Sequence, residues 1–418
     1  MPRVERGAGA ERVAEEIRRR AEREAESTTE LLSALVQIPS PTGEEERIVN
    51  HLGELLTEAG FDQVRVDGLG NLIGRIGGGP GTLAVDAHID TVGPGERDQW
   101  DCDPFCGDVE DGWLLGRGSV DQKGGAAAMV TAGRILKSLS YDGPYTVWFT
   151  FTIMEEDCDG LCWKYIIEEE KLVPDYAVIT EPTNMGVYRG QRGRMEMDVS
   201  FRGVSAHGSA PERGDNAVYK AARGALAVEE LHERLTGGKP GAQVPGGDPF
   251  LGRGSVAVTQ IGSSGPSLCA VPDAAAFHLD RRLTWGETPE SALEEVRSAL
   301  GEGAGVDVPV YDRPSYRGTR YPQEMVFPTW KTEEDHPLVS AGAETYRRLY
   351  GDPARLGKWT FSTNGVAICG RAGIPTVGFG PGDETFAHAP NERTAVSDLV
   401  RAPAFYALLP YVLGERAP

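Results

Sequence analysis

TLAVDAHID, residues 82–90, is a run of small and branched residues that ends on a histidine and an aspartate spaced two apart. Thr82–Ala87 reads as a strand, because β-branched and apolar residues dominate it and neither glycine nor proline interrupts it. Two further runs share that character, YTVWFTFTI at Tyr145–Ile153 and DYAVIT at Asp175–Thr180, with helical patterns between, as in Gly125–Leu139. Such strands alternating with helices predict an α/β sheet covered on both faces. Upstream, Glu11–Val36 carries apolar residues at helical spacing. Thr42 followed by Glu45 is a capping-box signal for a second helix running to about Ala59.

From Gly193 the pattern changes. Strand Arg194–Arg202, helix Asn216–Leu235, strands Ser255–Ile261 and Ala274–Leu283, helix Thr288–Leu300 and strand Val306–Tyr311 follow one another. The order β-α-β-β-α-β predicts a ferredoxin-like α+β unit, an antiparallel sheet with helices on one face. Gly237–Gly254, rich in glycine and proline, reads as a loop inside it. After Asp312 the α/β character returns, with a helix near His336–Tyr350, a strand around Ile374–Phe379 and a last helix near Val396–Leu413. The expected organisation is a main domain of residues 1–192 and 313–418, with residues 193–312 inserted into it.

The chain has 418 residues, 40% hydrophobic and 25% charged, which suits two globular cores and not a small disulfide-stapled module. A formal net charge of −21 argues against a nucleic-acid partner. No apolar run approaches the roughly 20 residues of a membrane span, and Met1–Arg20 alternates acids with arginines without an apolar signal core. The expected location is the cytoplasm, with no membrane partner. Six cysteines, at 102, 106, 158, 162, 269 and 369, are too sparse for a secreted framework, so reduced thiols are expected. The two C-x-x-x-C pairs lack the two-residue spacing of common structural zinc sites.

His88 and Asp90 leave the C-terminal end of a predicted strand, where open α/β sheets bind ligands. In an extended H-x-D both side chains project to one side, so Asp90 can accept the second imidazole N–H and leave the other nitrogen for a metal. A purely structural pair is the other reading. Asp121, in GRGSVDQKGG ahead of a helix, is a ligand or a helix cap. Glu155 and Glu156 end the second run, and Glu181 of TEPT ends the third. Adjacent acids ending a buried strand raise one another's pKa unless a cation intervenes, although Glu181 alone also reads as an exposed loop acid. His388, in AHAPNE, is a second late imidazole or a solvated loop histidine. Two histidines with three or four carboxylates suit a pair of Zn²⁺ ions, with Co²⁺ or Mn²⁺ as substitutes and one carboxylate bridging.

HIDTV, WDCDPF, GRGSVDQKGG, MEED, ITEPT, GVSAHGSAPERGDNAV, DRRLTWGET and HAPNE follow in one order along the chain. The set resembles the co-catalytic zinc metallopeptidase family of aminoacylase, acetylornithine deacetylase and succinyl-diaminopimelate desuccinylase, over about Ile38–Leu413. EEDCDGLCW, YRGQRGRME and KWTFSTNG are most similar to its selenium-metabolism-linked hydrolase branch. The resemblance implies a mixed-sheet zinc-hydrolase catalytic domain with the ferredoxin-like insert as lid and dimerisation domain. It implies one zinc on His88, Asp121 and Glu181 and another on Asp121, Glu156 and His388, with Asp121 bridging. Glu155 would be the general base, on the opposite side of an extended backbone from Glu156, and Asp90 the residue that orients His88; a register one residue later would give the base and ligand roles to Glu156 and Asp157.

By the same resemblance, His207 is similar to the histidine that reaches into a partner subunit's site to stabilise an oxyanion, which implies a homodimer through the insert. Arg282 is similar to the arginine that clamps a substrate carboxylate, and Arg281 would point the other way as a surface charge. Cys269 of CAVP stands where the family commonly has Asn, and Asn364 of STNG where relatives often have Asp, both in regions that contact substrate. The implied activity is hydrolysis of an amide or ureido C–N bond in a small carboxylate-bearing substrate, such as an N-acyl or N-carbamoyl amino acid. A dipeptidase or aminopeptidase of the same mechanism is the near alternative. A non-catalytic homologue predicts loss of a ligand or of Glu155, and all are present. A redox role for Cys158 and Cys162 is a further alternative, their proximity to Glu156 predicting oxidant-sensitive activity.

Overall fold

In the computed structural model, which describes residues 3–237 and 247–416, Gly81–His88 lies inside the larger of two main sheets. It pairs in parallel with Tyr145–Thr152 on one side and Tyr176–Ile179 on the other. His88 stands opposite Thr152 in register, so His88 and the residues just beyond Thr152 and Ile179 leave the sheet at one edge. Neighbouring strands lie about 4.8 Å apart, which brings side chains from the three ends within a few ångströms. The full strand order is Gln63–Val66, Leu72–Ile76, Tyr145–Thr152, Gly81–His88, Tyr176–Ile179, Thr376–Gly378, Val187–Gln191 and Trp330–Lys331, with Leu356–Trp359 joined in parallel to Val187–Gln191. The outer pairs run antiparallel, so the sheet is mixed, as expected.

From Leu83 onward every residue of the Gly81–His88 strand is buried. Helix Lys123–Ser138 packs against helices Val396–Arg416 and Ala25–Val36. Its small residues allow a close approach at its start: a Cβ on Gly125 would stand 2.2 Å from Thr180 Oγ1, so a larger residue would push Asp121 away from Glu181.

The Glu11–Val36 run forms two helices, Arg3–Arg23 and Ala25–Val36. The capping box at Thr42 and Glu45 is not made, and helix Glu46–Glu58 has no side-chain cap. Thr42 Oγ1 donates instead to Asp90 Oδ2 at 2.8 Å, and Glu45 Oε1 accepts from Gly43 N at 2.9 Å. Asp90 and Glu45 are fully buried carboxylates whose need for donors outweighs the local capping preference.

The second sheet has the order Ser255–Ser264, Ala274–Leu283, Gly193–Arg202, Ala304–Asp307, with Val326–Phe327 also on Gly193–Arg202. This is the ferredoxin-like order. Helices Ala217–Thr236 and Pro289–Leu300 pack on it around Met197, Phe201, Phe277 and Leu279. Asn216 caps the first through Val218 N, and a Thr288/Ser291 capping box starts the second. The expected strand Val306–Tyr311 divides, because Val310–Tyr311 turns away to pair with Gln323–Glu324. Residues 238–246 of the expected Gly237–Gly254 loop lie outside the described residues. Among the described residues no helix is long and apolar enough to cross a membrane.

Candidate metal centre

His88, the last residue of its strand, is 1% exposed. Its Nε2 lies 2.8 Å from Asp121 Oδ1, 3.5 Å from Glu181 Oε1 and 3.9 Å from Glu155 Oε2. The other carboxylate oxygen of Asp121, Oδ2, is 3.2 Å from His388 Nε2, which is also 3.0 Å from Glu156 Oε2. Asp121 therefore stands between the two imidazoles. It does not cap the helix that follows, whose N-cap position is Gln122.

Glu155 and Glu156 occupy a turn beyond Thr152 rather than extended backbone. The turn is held by Asp90, whose Oδ1 accepts from Glu155 N at 3.2 Å and whose Oδ2 accepts from Glu156 N at 3.1 Å. Towards His88 the Asp90 carboxylate makes only the longer of two contacts. Nδ1 of His88 lies 2.9 Å from the Asp90 main-chain oxygen, with the carboxylate at 3.6 Å.

Four buried carboxylates and the buried His88 imidazole thus share one pocket, with the half-exposed His388 at its mouth. Burial pushes Glu155 well above the usual carboxylate range, and burial with the neighbouring Asp121 does the same to Glu181. Burial opposes charge on His88, but Glu181, Asp121 and Asp90 hold its pKa well above the ordinary value. Hydrogen bonds to Asp121 and Glu156 raise His388 to about 10. Glu155 Oε1 and Glu181 Oε2 are buried without a hydrogen-bond partner, a costly state for an anion unless a cation meets it. Ligand atoms of His88, Asp121 and Glu156 lie within 4.8 Å of one another, as do those of His88, Glu155 and Glu181. An all-oxygen-and-imidazole donor set of this kind fits divalent zinc, manganese or cobalt.

Residues 84–411 match the profile of peptidase family M20/M25/M40. The chain belongs to this family. YgeY of Escherichia coli (strain K12) is 50% identical over 385 residues, covering 91% of this chain and 93% of that one. Succinyl-diaminopimelate desuccinylase of Magnetococcus marinus is 29% identical over 388 residues, covering 88% and 93%. The Bacillus subtilis YXEP protein, described as a dinuclear metal binding peptidase, is similar in structure with a TM-score of 0.67 at 15% identity, over 95% of this chain and 100% of that one. That last likeness is one of fold. The family read from the motifs stands, and this M20 chain is a metal-dependent hydrolase.

The cleft over the M20 centre has a volume of about 360 Å³. Arg282 lines it, its guanidinium fixed by Asp280 through Nε at 2.7 Å and Nη2 at 2.8 Å. Arg194, Asp159, Ser362 and Glu384 line it too, none of which was singled out from sequence. Arg194 joins Asp159 at 2.9 Å and Glu196 at 3.3 Å.

Asn364 does not reach the cleft. It is 1% exposed and its amide is used internally: Nδ2 donates to Asp86 Oδ2 at 2.8 Å, and Oδ1 accepts from Gly160 N at 3.1 Å. Arg281 is no surface charge; it is 0% exposed and paired with Glu287 and Glu295 at 2.7 and 3.0 Å. His207 sits on an exposed turn, its Nδ1 accepting from Ser209 N at 3.1 Å, and does not line the cleft. Cys269 is exposed beside it, its carbonyl accepting from Gly208 N at 2.7 Å.

Proposed function

We propose that this chain is a di-zinc amidohydrolase that cleaves the C–N bond of an N-acyl or N-carbamoyl amino acid. The observation that carries the reading is Asp121, shared between His88 at 2.8 Å and His388 at 3.2 Å, with Glu181 and Glu156 completing one three-residue set on each side. Residues His88, Asp121 and Glu181 would hold one zinc, and Asp121, Glu156 and His388 the other. When bound, the ions supply a Lewis acid for the scissile carbonyl and acidify a water.

Glu155 then acts as the general base. Its Oε1 has no other hydrogen-bond partner, so it can take a proton from water and return it to the leaving nitrogen. Burial raises the proton affinity of the carboxylate and so favours its taking that proton. Arg282, pre-set by Asp280, would hold the substrate carboxylate bidentately. His207, exposed on its turn, would serve the site of a second copy in a homodimer. Six free thiols support a reducing, cytoplasmic setting.

Glu384 favours a second reading, a dipeptidase. It lines the cleft with a carboxylate oxygen that meets no partner and would suit a free α-ammonium.

Zinc content measured beside turnover of N-acyl, N-carbamoyl and dipeptide substrates tests both readings, with wild type and Glu155→Gln. Two zincs per chain are expected in each protein, with kcat lower by about 10³ in the variant. Full activity in Glu155→Gln would overturn the assignment of the base. Turnover of dipeptides alone would replace the first reading by the second.

A further inference from the structure

We propose that Glu392 and Arg117 form a buried strut that sets the spacing of His388 from Asp121 and thereby controls loading of the metal position those two share. The proposal rests on the di-zinc reading above. The Glu392 side chain is 0% exposed and that of Arg117 3%. Arg117 Nη1 donates to Glu392 Oε2 at 2.5 Å. The second oxygen, Oε1, accepts from the main-chain N–H of Val120 at 2.8 Å and of Asp121 itself at 3.0 Å. The main-chain carbonyl of Glu392 accepts from Gly116 N at 2.8 Å. A residue four positions beyond His388 thus grips both ends of the loop that presents Asp121.

Asp121 serves both metal positions, so the strut bears on both, but it bears on the position that includes His388 through two of its ligands and on the other through one. His88 ends a central strand and Glu181 follows its parallel neighbour, and the register of that pair does not pass through Glu392. His388 lies on no strand; its loop is tied down further along, by Asn391, whose amide accepts from the Asp101 main-chain N–H and donates to the Asp101 carboxylate, each at 2.9 Å, and by Glu392. The His388 side chain is 52% exposed, its backbone sits at φ +58°, and its loop returns to the body through Glu392 and the short strand Arg393–Ala395, paired with Trp113–Leu115. Electrostatics explain why the strut is a charge pair: another carboxylate close to Asp121 is tolerated because Arg117 compensates it. With the carboxylate gone, the Asp121 N–H loses its acceptor and Arg117 is left buried without its carboxylate, so the main-chain contacts that remain hold Asp121 less firmly against His388.

Calorimetric titration of the metal-free chain with Zn²⁺, with zinc per chain measured after gel filtration, tests this on wild type, Glu392→Ala and Glu392→Asp. Wild type is expected to take up two ions. Glu392→Ala is expected to keep one, with affinity for the second lower by about 10- to 100-fold, as is usual when a group supporting a ligand is removed. Glu392→Asp keeps the charge but is one methylene shorter, and its second affinity is expected to fall between the two. A general loss of folding would lower both affinities together, which distinguishes a merely structural role. Two ions with unchanged affinities in Glu392→Ala would overturn the strut; if that variant does not fold, unchanged affinities in Glu392→Asp would do so. A wild type that binds no zinc would overturn the di-zinc reading, and the strut with it.

Discussion

Nδ1 of His88 lies 2.9 Å from the main-chain oxygen of Asp90, and 3.6 Å from that residue's carboxylate. The shorter of the two contacts to the imidazole is thus a backbone one, which does not use the side chain at position 90. The carboxylate is left to hold the N–H groups of Glu155 and Glu156.

Asp90→Ala is therefore expected to act on the turn and not on the imidazole. Turnover should fall by about 10- to 100-fold, with zinc lost at the position that includes Glu156 before the one that includes His88. Steady-state kinetics beside zinc stoichiometry would show it. Loss of both ions in parallel would return Asp90 to the role of an imidazole orienter.

Asn364→Asp is expected to destabilise the protein without raising KM. The new carboxylate would face Asp86 across the 2.8 Å contact now made by an amide, in a fully buried place. Two such anions cost about 3 kcal/mol or more. Their pKa values would rise above those of the unfolded chain, so the deficit grows as pH rises, and urea unfolding should show a larger loss at pH 8 than at pH 5. A raised KM at unchanged stability would mean that Asn364 contacts substrate.

Glu45 gives a pH dependence of its own. Burial, with Asp90 nearby, pushes its carboxyl up to about 8. A folded pKa above the unfolded value near 4.5 means that this group's contribution is intact below 4.5 and is lost as pH rises towards 8. Glu45→Gln keeps an oxygen to accept from Gly43 N and removes the titration. Relative to wild type, the variant is expected to gain stability from pH 5 to pH 8.5 in denaturant melts, and parallel curves would contradict this.

The thiols can be ranked by access. Cys158 and Cys162 are 0% exposed, and burial drives both pKa values far up. Cys162 Sγ donates to Asn364 Oδ1 at 3.0 Å, and Cys158 Sγ accepts from Gln323 Nε2 at 3.1 Å. These are inert, packed thiols, contrary to the expected oxidant sensitivity near Glu156. Alkylation of the native protein followed by peptide mapping should label exposed Cys269 first and spare both.

The strands around His88 were readable because their composition is local information, and the parallel pairing of three such runs is enough to collect His88, Glu155, Glu156 and Glu181. Arg281 shows where local reading stops. Alternation correctly sends it to the face opposite Arg282, but that face carries helix Pro289–Leu300, so the side chain is buried against Glu295 instead of reaching water. Asn364 departs from expectation for a related reason: its partner Asp86 is a polar residue hidden inside an apolar strand, far away in sequence. Thr42 and Glu45 satisfied a helix-start rule, yet both are recruited by a tertiary network that no window of a few residues contains.

Gln191 and Trp330 are paired antiparallel partners in the larger sheet, as are Gly190 and Lys331. The chain thus leaves for the second sheet and comes back at adjacent points, as if everything between were the tip of a hairpin. In genetic terms, the gain or loss of that whole segment requires one cut at one turn and no rethreading of the catalytic strands. An ancestral form lacking it would keep every residue proposed to bind metal, and would lack Arg282 and His207, the residues proposed to select a substrate and to serve a second copy.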